Sequence, residues 1–227
     1  MQNITKSISN KAIIEAFNLR YACKRFDTNK IISDEDLHTI LECARLSPSS
    51  FGFEPWKFIV LQNKTIREKL IPLCWGGKHA LKEASCFVII LARRKEDTLA
   101  NSQYISDMMQ KVQKLPIHIQ EIKREFYKKF QEKDFNLLQT DRAIFDWACK
   151  QTYIVLGNMM SVAALLGIDS CAIEGFGQDA VDKLLANEGV FDLKHFGVSV
   201  MIGFGYRREN PKYPKTRQDF NQVVEFI

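Results

Sequence analysis

Apolar positions along this chain alternate between two periods, and the switches between them outline its elements. Over residues 11–21, Ile13, Ala16, Phe17 and Arg20 return every three to four positions, and Ser9 or Asn10 can cap the start. That is the spacing of one helix face. Leu37, Ile40, Leu41 and Ala44 repeat the pattern behind a Ser33–Asp36 capping arrangement. Residues 57–62 read as a strand and 65–73 as a short amphipathic helix. The unbroken apolar run 86–92 predicts a central strand buried on both faces. Residues 102–134 are charged and helical, broken at Pro116, which has no amide hydrogen to continue a helix.

The longest predicted helix covers 141–166, with Gly167 as its stop. From Tyr153 onward it is apolar nearly all round, which demands burial in the core or against a second copy. A short strand over 169–173, a helix over 178–187 and a long strand over 196–206 follow. The apolar tail 223–227 comes after a basic loop and needs a groove or strand edge, its own or a partner's.

The most informative connection is residues 46–60, between the second helix and the first strand. Pro48 and Pro55 stop helix and sheet, while Ser49, Ser50 and Gly52 offer hydroxyls and bare backbone between them. Phe51, Phe53 and Trp56 add flat apolar surface. Such a loop suits a planar, hydrogen-bonding ligand, and it equally suits an ordinary helix-to-strand link.

Composition narrows the class. The chain has 227 residues, 46% apolar and 26% charged, as expected for one α/β-type globular domain spanning 1–227. No repeat or linker divides it. The net charge of +5 is mild and scattered, which argues against nucleic acid and suits an anionic cofactor. The apolar stretch of the long helix is too short and too interrupted, by Asn158 and Ser161, for a membrane span. Six cysteines without C-x-x-C spacing, behind a polar N-terminus without a signal segment, suggest reduced thiols in a cytoplasmic protein. The four histidines are dispersed and make no metal cluster.

No residue set builds an acid–base catalyst. Ser49 and Ser50 lack the setting of a serine nucleophile, and no G-x-G-x-x-G follows a strand. An enzyme without such machinery borrows its chemistry from a cofactor. Arg20, Lys24 and Arg25 cluster where the first helix ends. They either offset its negative C-terminus or form a cationic wall for a phosphate or a reduced flavin. Phe126, Tyr127 and Phe130, at helical spacing in the charged region, either anchor that arm or act as a lid.

Four segments carry a stronger signal together: Arg20-Tyr21-Ala22-Cys23-Lys24-Arg25-Phe26, the Ser47-Pro48-Ser49-Ser50 loop with Pro55-Trp56, Ala172-Ile173-Glu174-Gly175-Phe176, and Pro214-Lys215-Thr216-Arg217. In order and spacing they resemble the nitroreductase family of flavin-dependent oxidoreductases. That family reads R-x-x-x-K-x-F, then S-P-S-S with P-W following, then I-E-G-F, then P-K-x-R. The resemblance runs from about residue 10 to the end of the chain.

The resemblance implies an α+β, three-layer α-β-α fold: a mixed, mainly antiparallel sheet between helices, in an intertwined homodimer with FMN at the interface. It implies ping-pong hydride transfer from NAD(P)H through FMN to nitroaromatic, quinone or flavin acceptors. Reductive dehalogenation or flavin destruction on the same scaffold, or a non-enzymatic anion-binding module, are the alternatives. By resemblance Arg20, with Tyr21 and Ala22 beside it, lies on the ribityl and phosphate side, and Lys24 at the pyrimidine edge. Lys215 and Arg217 bind phosphate. Ala172, Ile173, Glu174 and Gly175 face the flavin, with backbone toward N5. Pro48, Ser49, Ser50 and Gly52 reach the flavin of the other subunit. Phe51, Phe126 and Phe130 fall on the substrate side. Departures are Tyr21-Ala22 for a common His-Ser, Gly52 for Asn, Glu54 for Gln and Ala172 for Pro. The family's mid-chain Asn and Lys contacts find no clean match in residues 75–82.

Overall fold

The computed structural model describes residues 7–227; the polar N-terminal segment 1–6 lies outside the described residues. The elements in chain order are α1 (Asn10–Leu19), α2 (Asp34–Arg45), β1 (Trp56–Val60), α3 (Lys64–Leu70), α4 (Lys78–Glu83), β2 (Cys86–Arg93), α5 (Lys95–Thr98) and α6 (Gln103–Asp107). Then come α7 (Ile117–Lys129), α8 (Asp141–Leu165), β3 (Asp169–Ile173), α9 (Gln178–Asn187), β4 (Phe196–Gly205) and α10 (Phe220–Val223). Single π-helical turns extend α6 over Met108–Val112 and α7 over Phe130–Asp134.

Capping explains several starts. Ser9 Oγ accepts from the Ala12 amide and Ser33 Oγ from Asp36, so each satisfies an otherwise orphaned N–H. α1 stops at Leu19, two residues before the predicted end, because Arg20 is already extended at ψ 127°. β1 begins at Trp56, directly after Pro55, and not at residue 57.

The four strands lie in the order β1-β2-β4-β3, every neighbouring pair antiparallel. The parallel component reduces to one isolated bridge, Ala22 to Ser170. β2 is central, and Phe87, Val88, Ile89, Ile90 and Leu91 are all fully buried. Phe87, Ile89 and Leu91 pack under α3, α4 and α9, with Leu70, Leu81, Val181 and Leu185. Cys86, Val88 and Ile90 pack under α2 and α8, with Ile40, Val155 and Met159. The apolar run thus serves two faces. Each such side chain contributes about 1.5–3 kcal/mol of burial, and a one-residue slip would exchange both faces.

A bulge breaks this alternation. Ile90 pairs with Val200 but Leu91 with Val198, leaving Ser199 unpaired on β4. The extra residue swings Val198 to the α9 side and gives Ser199 Oγ to Thr152 Oγ1 of α8, 2.7 Å away.

A third apolar cluster sits beyond the sheet. Tyr127 and Ile144, both fully buried, join Phe53, Met109 and Trp147 there, so the 103–134 arm is anchored to the body. Tyr127 and Phe130 make that anchor. The apolar side of α8 is covered only in part, since Tyr153, Ile154, Leu165 and Leu166 remain exposed. The tail likewise finds no groove among the described residues: Phe220, Val223, Phe226 and Ile227 are exposed. No helix among the described residues is long and apolar enough to cross a membrane.

Candidate functional site

The site is assembled along the outer edge of β3, one of the two edge strands. The segment after α1 runs beside it: the Cys23 amide donates to the Ser170 carbonyl at 3.0 Å, next to the Ala22 bridge. Lys24 is thereby carried onto the strand, with Nζ 3.7 Å from Cys171 Sγ. Arg20 falls at the Asp169 end, in a cleft of about 260 Å³ shared with Ala16, Leu19 and Arg207.

The C-terminal loop reaches the same end. Lys215 Nζ donates to the Phe17 carbonyl of α1, so the two ends of the chain meet there. Burial lowers the pKa of Lys215, and the Arg20 and Arg217 charges lower it further. Three cations from opposite chain ends therefore share one locale. Among the described residues none of the three has a carboxylate partner, because the local acid, Asp169, is held by Arg207 through Nε at 3.0 Å and Nη2 at 2.5 Å. Arg207 also covers the Tyr21 ring, 4.6 Å from its centroid, and the Tyr21 hydroxyl donates to the Glu209 carbonyl. Burial is the main cause pushing Tyr21 up to about 12. Arg25 is different: it pairs with Glu83 at 2.8 Å and serves structure.

At the other end of β3, Ile173 leads into Glu174 and Gly175. Here the structure places the start of the 75–82 segment, which has no clean motif match. Gly76 donates its amide to the Gly175 carbonyl at 2.8 Å, and a Cβ on Gly175 would lie 2.8 Å from Gly76 Cα. The segment 75–77 therefore packs directly on the Glu174–Gly175 turn, with Trp75 largely exposed at the rim. Lys78 and His79 follow beside Lys24. The Gly76-Gly77 doublet was the visible signal, but nothing local ties it to residue 175.

The Glu174 side chain is held by Tyr153 of α8, whose hydroxyl donates to Oε1. Burial and this carboxylate both raise the Tyr153 pKa. Beside them opens a cavity of about 600 Å³ lined by Arg142, Lys150, Phe176 and Ser199, among others.

Pro48, Ser49, Ser50 and Gly52 are elsewhere. Ser50 donates its amide to Gln151 Oε1 of α8 at 2.8 Å, and Ser49 Oγ accepts from the Glu54 amide at 2.9 Å. Phe51, Gly52 and Glu54 all have positive φ, at 58°, 66° and 46°. Among the described residues, the loop's hydrogen bonds to other segments run to α8, to the arm and, at the Pro55 carbonyl, to Arg93 of β2, and none runs to the β3 edge. Within one chain the structure does not bring this loop to Arg20, Lys24 and Gly175.

The aromatic residues divide. Phe51 packs 5.3 Å from Phe130 and 4.9 Å from Tyr127 between ring centroids. Phe126 is 63% exposed on the outer face of α7 beside Ile122, and does not join them.

The strip suits a phosphate-bearing planar ligand. Asp169 to Ile173 spans about 13 Å at ordinary strand rise, with cations that lack a carboxylate partner among the described residues at one end and contacting glycine backbones at the other. An anion there would relieve the mutual repulsion of Arg20, Lys215 and Arg217.

Comparison with known proteins identifies the family. A model of the Nitroreductase family matches residues 19–206. A Staphylococcus epidermidis protein with the name "putative NAD(P)H nitroreductase" is 49% identical over 218 residues, 96% of this chain and 98% of its own. A Bacillus subtilis protein with the same name is 48% identical over 95% of this chain and 97% of its own. A structure from Exiguobacterium sibiricum, solved in complex with FMN, superposes with TM-score 0.73 at 21% identity, covering 98% of this chain and 99% of that one. The fold, the ordered motifs and these relatives place the chain in the nitroreductase family.

Proposed function

We propose that this family member is an FMN-dependent NAD(P)H oxidoreductase that passes hydride to small planar acceptors such as nitroaromatics, quinones or free flavins. The observation that carries this reading is the β3-edge strip, where Arg20, Lys215 and Arg217 converge without a carboxylate partner among the described residues. Bound FMN would supply the hydride acceptance and donation. The chain's own residues hold and orient it. Arg20, Lys215 and Arg217 bind the phosphate, with Tyr21 and Ala22 lining the approach. Lys24 faces the pyrimidine edge, where a cation favours the more negative, reduced cofactor. Ala172, Ile173, Glu174 and Gly175 support the ring with bare backbone.

We also read the working unit as a homodimer. The phosphate-end cleft, about 260 Å³, is smaller than the roughly 300 Å³ lower end of ordinary ligand pockets. A second wall is needed. Pro48, Ser49, Ser50 and Gly52 of a second copy supply it, and the exposed apolar side of α8 and the tail give that copy a surface to bury. Phe51 and Phe130 present flat apolar surface for acceptors; Phe126, on the outer face, is left out of this role. The whole chain acts as one such unit, and the six unpaired cysteines suit a cytoplasmic setting.

The test is anaerobic titration of the purified protein with NADH and NADPH. Flavin absorbance should bleach and then recover when a quinone or nitroaromatic is added. A flavin that neither donor bleaches would favour dehalogenation or flavin destruction. A protein without visible flavin absorbance, even after incubation with FMN, would refute the reading.

A further inference from the structure

The loop 48–55 is left-handed at three positions, two of them, Phe51 and Glu54, not glycine. Such backbone persists only where its surroundings over-determine it. Here two side chains from outside reach the carbonyls of Phe51 through Glu54, the last of which also accepts from the Trp56 amide at 2.7 Å. Gln113 Nε2 donates to the carbonyls of Phe51, at 3.2 Å, and Gly52, at 2.7 Å. The Tyr104 hydroxyl lies 2.8 Å from the carbonyls of both Phe53 and Glu54 and shares its one hydrogen between them. Both side chains belong to the 103–134 arm, one from α6 and one from the turn before α7.

The orientation of the Gln113 amide is itself enforced. Lys123 Nζ of α7 lies 2.7 Å from Gln113 Oε1 and can only donate, so the NH2 side of the amide must face the loop. Burial lowers the pKa of Lys123, and its charge also sits 5.1 Å from the centre of the Phe53 ring. Tyr104 is backed by Arg93, whose guanidinium lies 3.6 Å from the centre of its ring and is paired with Asp97. Each loop-holding donor therefore has its own support.

We propose that Lys123, Gln113 and Tyr104 form a clamp by which the helical arm sets the conformation of the 48–55 loop. They are positioning residues: the arm that contributes Phe130 to the acceptor side also holds the loop that presents Phe51 beside it. The role in binding rests on the function proposed above, while the clamp itself is a property of the chain. When the clamp is released, the loop samples other conformations and only a fraction remains competent. Apparent affinity falls by that fraction, while turnover from the competent state is unchanged.

The experiment uses the full-length protein and the variants Tyr104→Phe, Gln113→Leu and their combination. Hydrogen exchange of the apo-protein reads the amides of Gly52, Phe53 and Glu54, which are bonded within the loop itself. The double variant should exchange there at least tenfold faster, with β2 amides unchanged. In the FMN-loaded enzyme it should raise acceptor KM about fivefold or more, with kcat within twofold. Gln113→Glu keeps the tie to Lys123 but sets a carboxylate against two carbonyls, and should loosen the loop at least as much as Gln113→Leu. Unchanged loop exchange in the double variant overturns the clamp, whatever the flavin chemistry proves to be. Faster loop exchange with lowered kcat and unaltered KM overturns its role in binding. Failure of wild type to bind FMN would sink the proposed function and leave the exchange result to decide the clamp.

Discussion

The contact between Gly76 and Gly175 makes a quantitative prediction. In Gly175→Ala the new Cβ would sit 2.8 Å from Gly76 Cα and 2.9 Å from Gly76 N, with Trp75 Cδ2 at 3.1 Å. The first two are backbone atoms, which cannot rotate away as a side-chain end could. Relief must come from separating the two segments, which breaks the 2.8 Å bond from the Gly76 amide to the Gly175 carbonyl. A lost hydrogen bond costs about 0.5–1.5 kcal/mol and forced overpacking about 1–3 kcal/mol, so the total is about 2–4 kcal/mol. For a chain of this size that is a fall in Tm on the order of 5–15 °C. Gly76→Ala provides a graded comparison. Its nearest contacts are 3.0, 3.3 and 3.4 Å, so its loss should be smaller. Thermal unfolding followed by circular dichroism gives both shifts, and fluorescence titration with FMN gives the functional cost. Flavin affinity should fall with stability, because the displaced backbone is the part proposed to face the ring. Gly175→Ala melting within 1–2 °C of wild type, roughly half a kcal/mol at this size, would refute the close-packing argument.

Further predictions concern charge and assembly. Arg217→Ala or Lys215→Ala should each weaken FMN binding by about 1.5–3 kcal/mol, the range of a charge-assisted hydrogen bond; unchanged affinity in both would remove them from the phosphate site. Lys24→Met should lower the flavin midpoint potential more than it weakens binding of oxidised FMN, since among the described residues the ammonium has only the Cys171 sulfur as a hydrogen-bond partner and keeps its charge for the cofactor. A wild-type potential would leave Lys24 a solvated charge. Deleting residues 222–227 removes exposed Val223, Phe226 and Ile227 and should loosen a dimer and release FMN together. Sedimentation with flavin absorbance followed across the boundary tests this, and a wild-type monomer holding stoichiometric FMN would end the shared-site model.

What the sequence determined by itself was whatever depends on neighbours along the chain. The bounds of β3 and α9 follow from local pattern and stop signals, as do the near-complete extent of α8 and the two buried faces of β2. The four ordered motifs likewise identified the family, because their residue types and spacing survive in a linear reading. Tertiary structure decided everything that joins distant segments. The Ser199 bulge depends on which residue β2 places opposite, not on β4's own composition. Lys215 meets Phe17, and Gly76 meets Gly175, across chain separations that no periodicity encodes. The clamp is the clearest case. Tyr104, Gln113 and Lys123 look like ordinary polar positions in a charged helical stretch. They acquire a role only because the carbonyls of Phe51, Gly52 and Phe53, in and beside left-handed backbone, find no donor within the loop among the described residues.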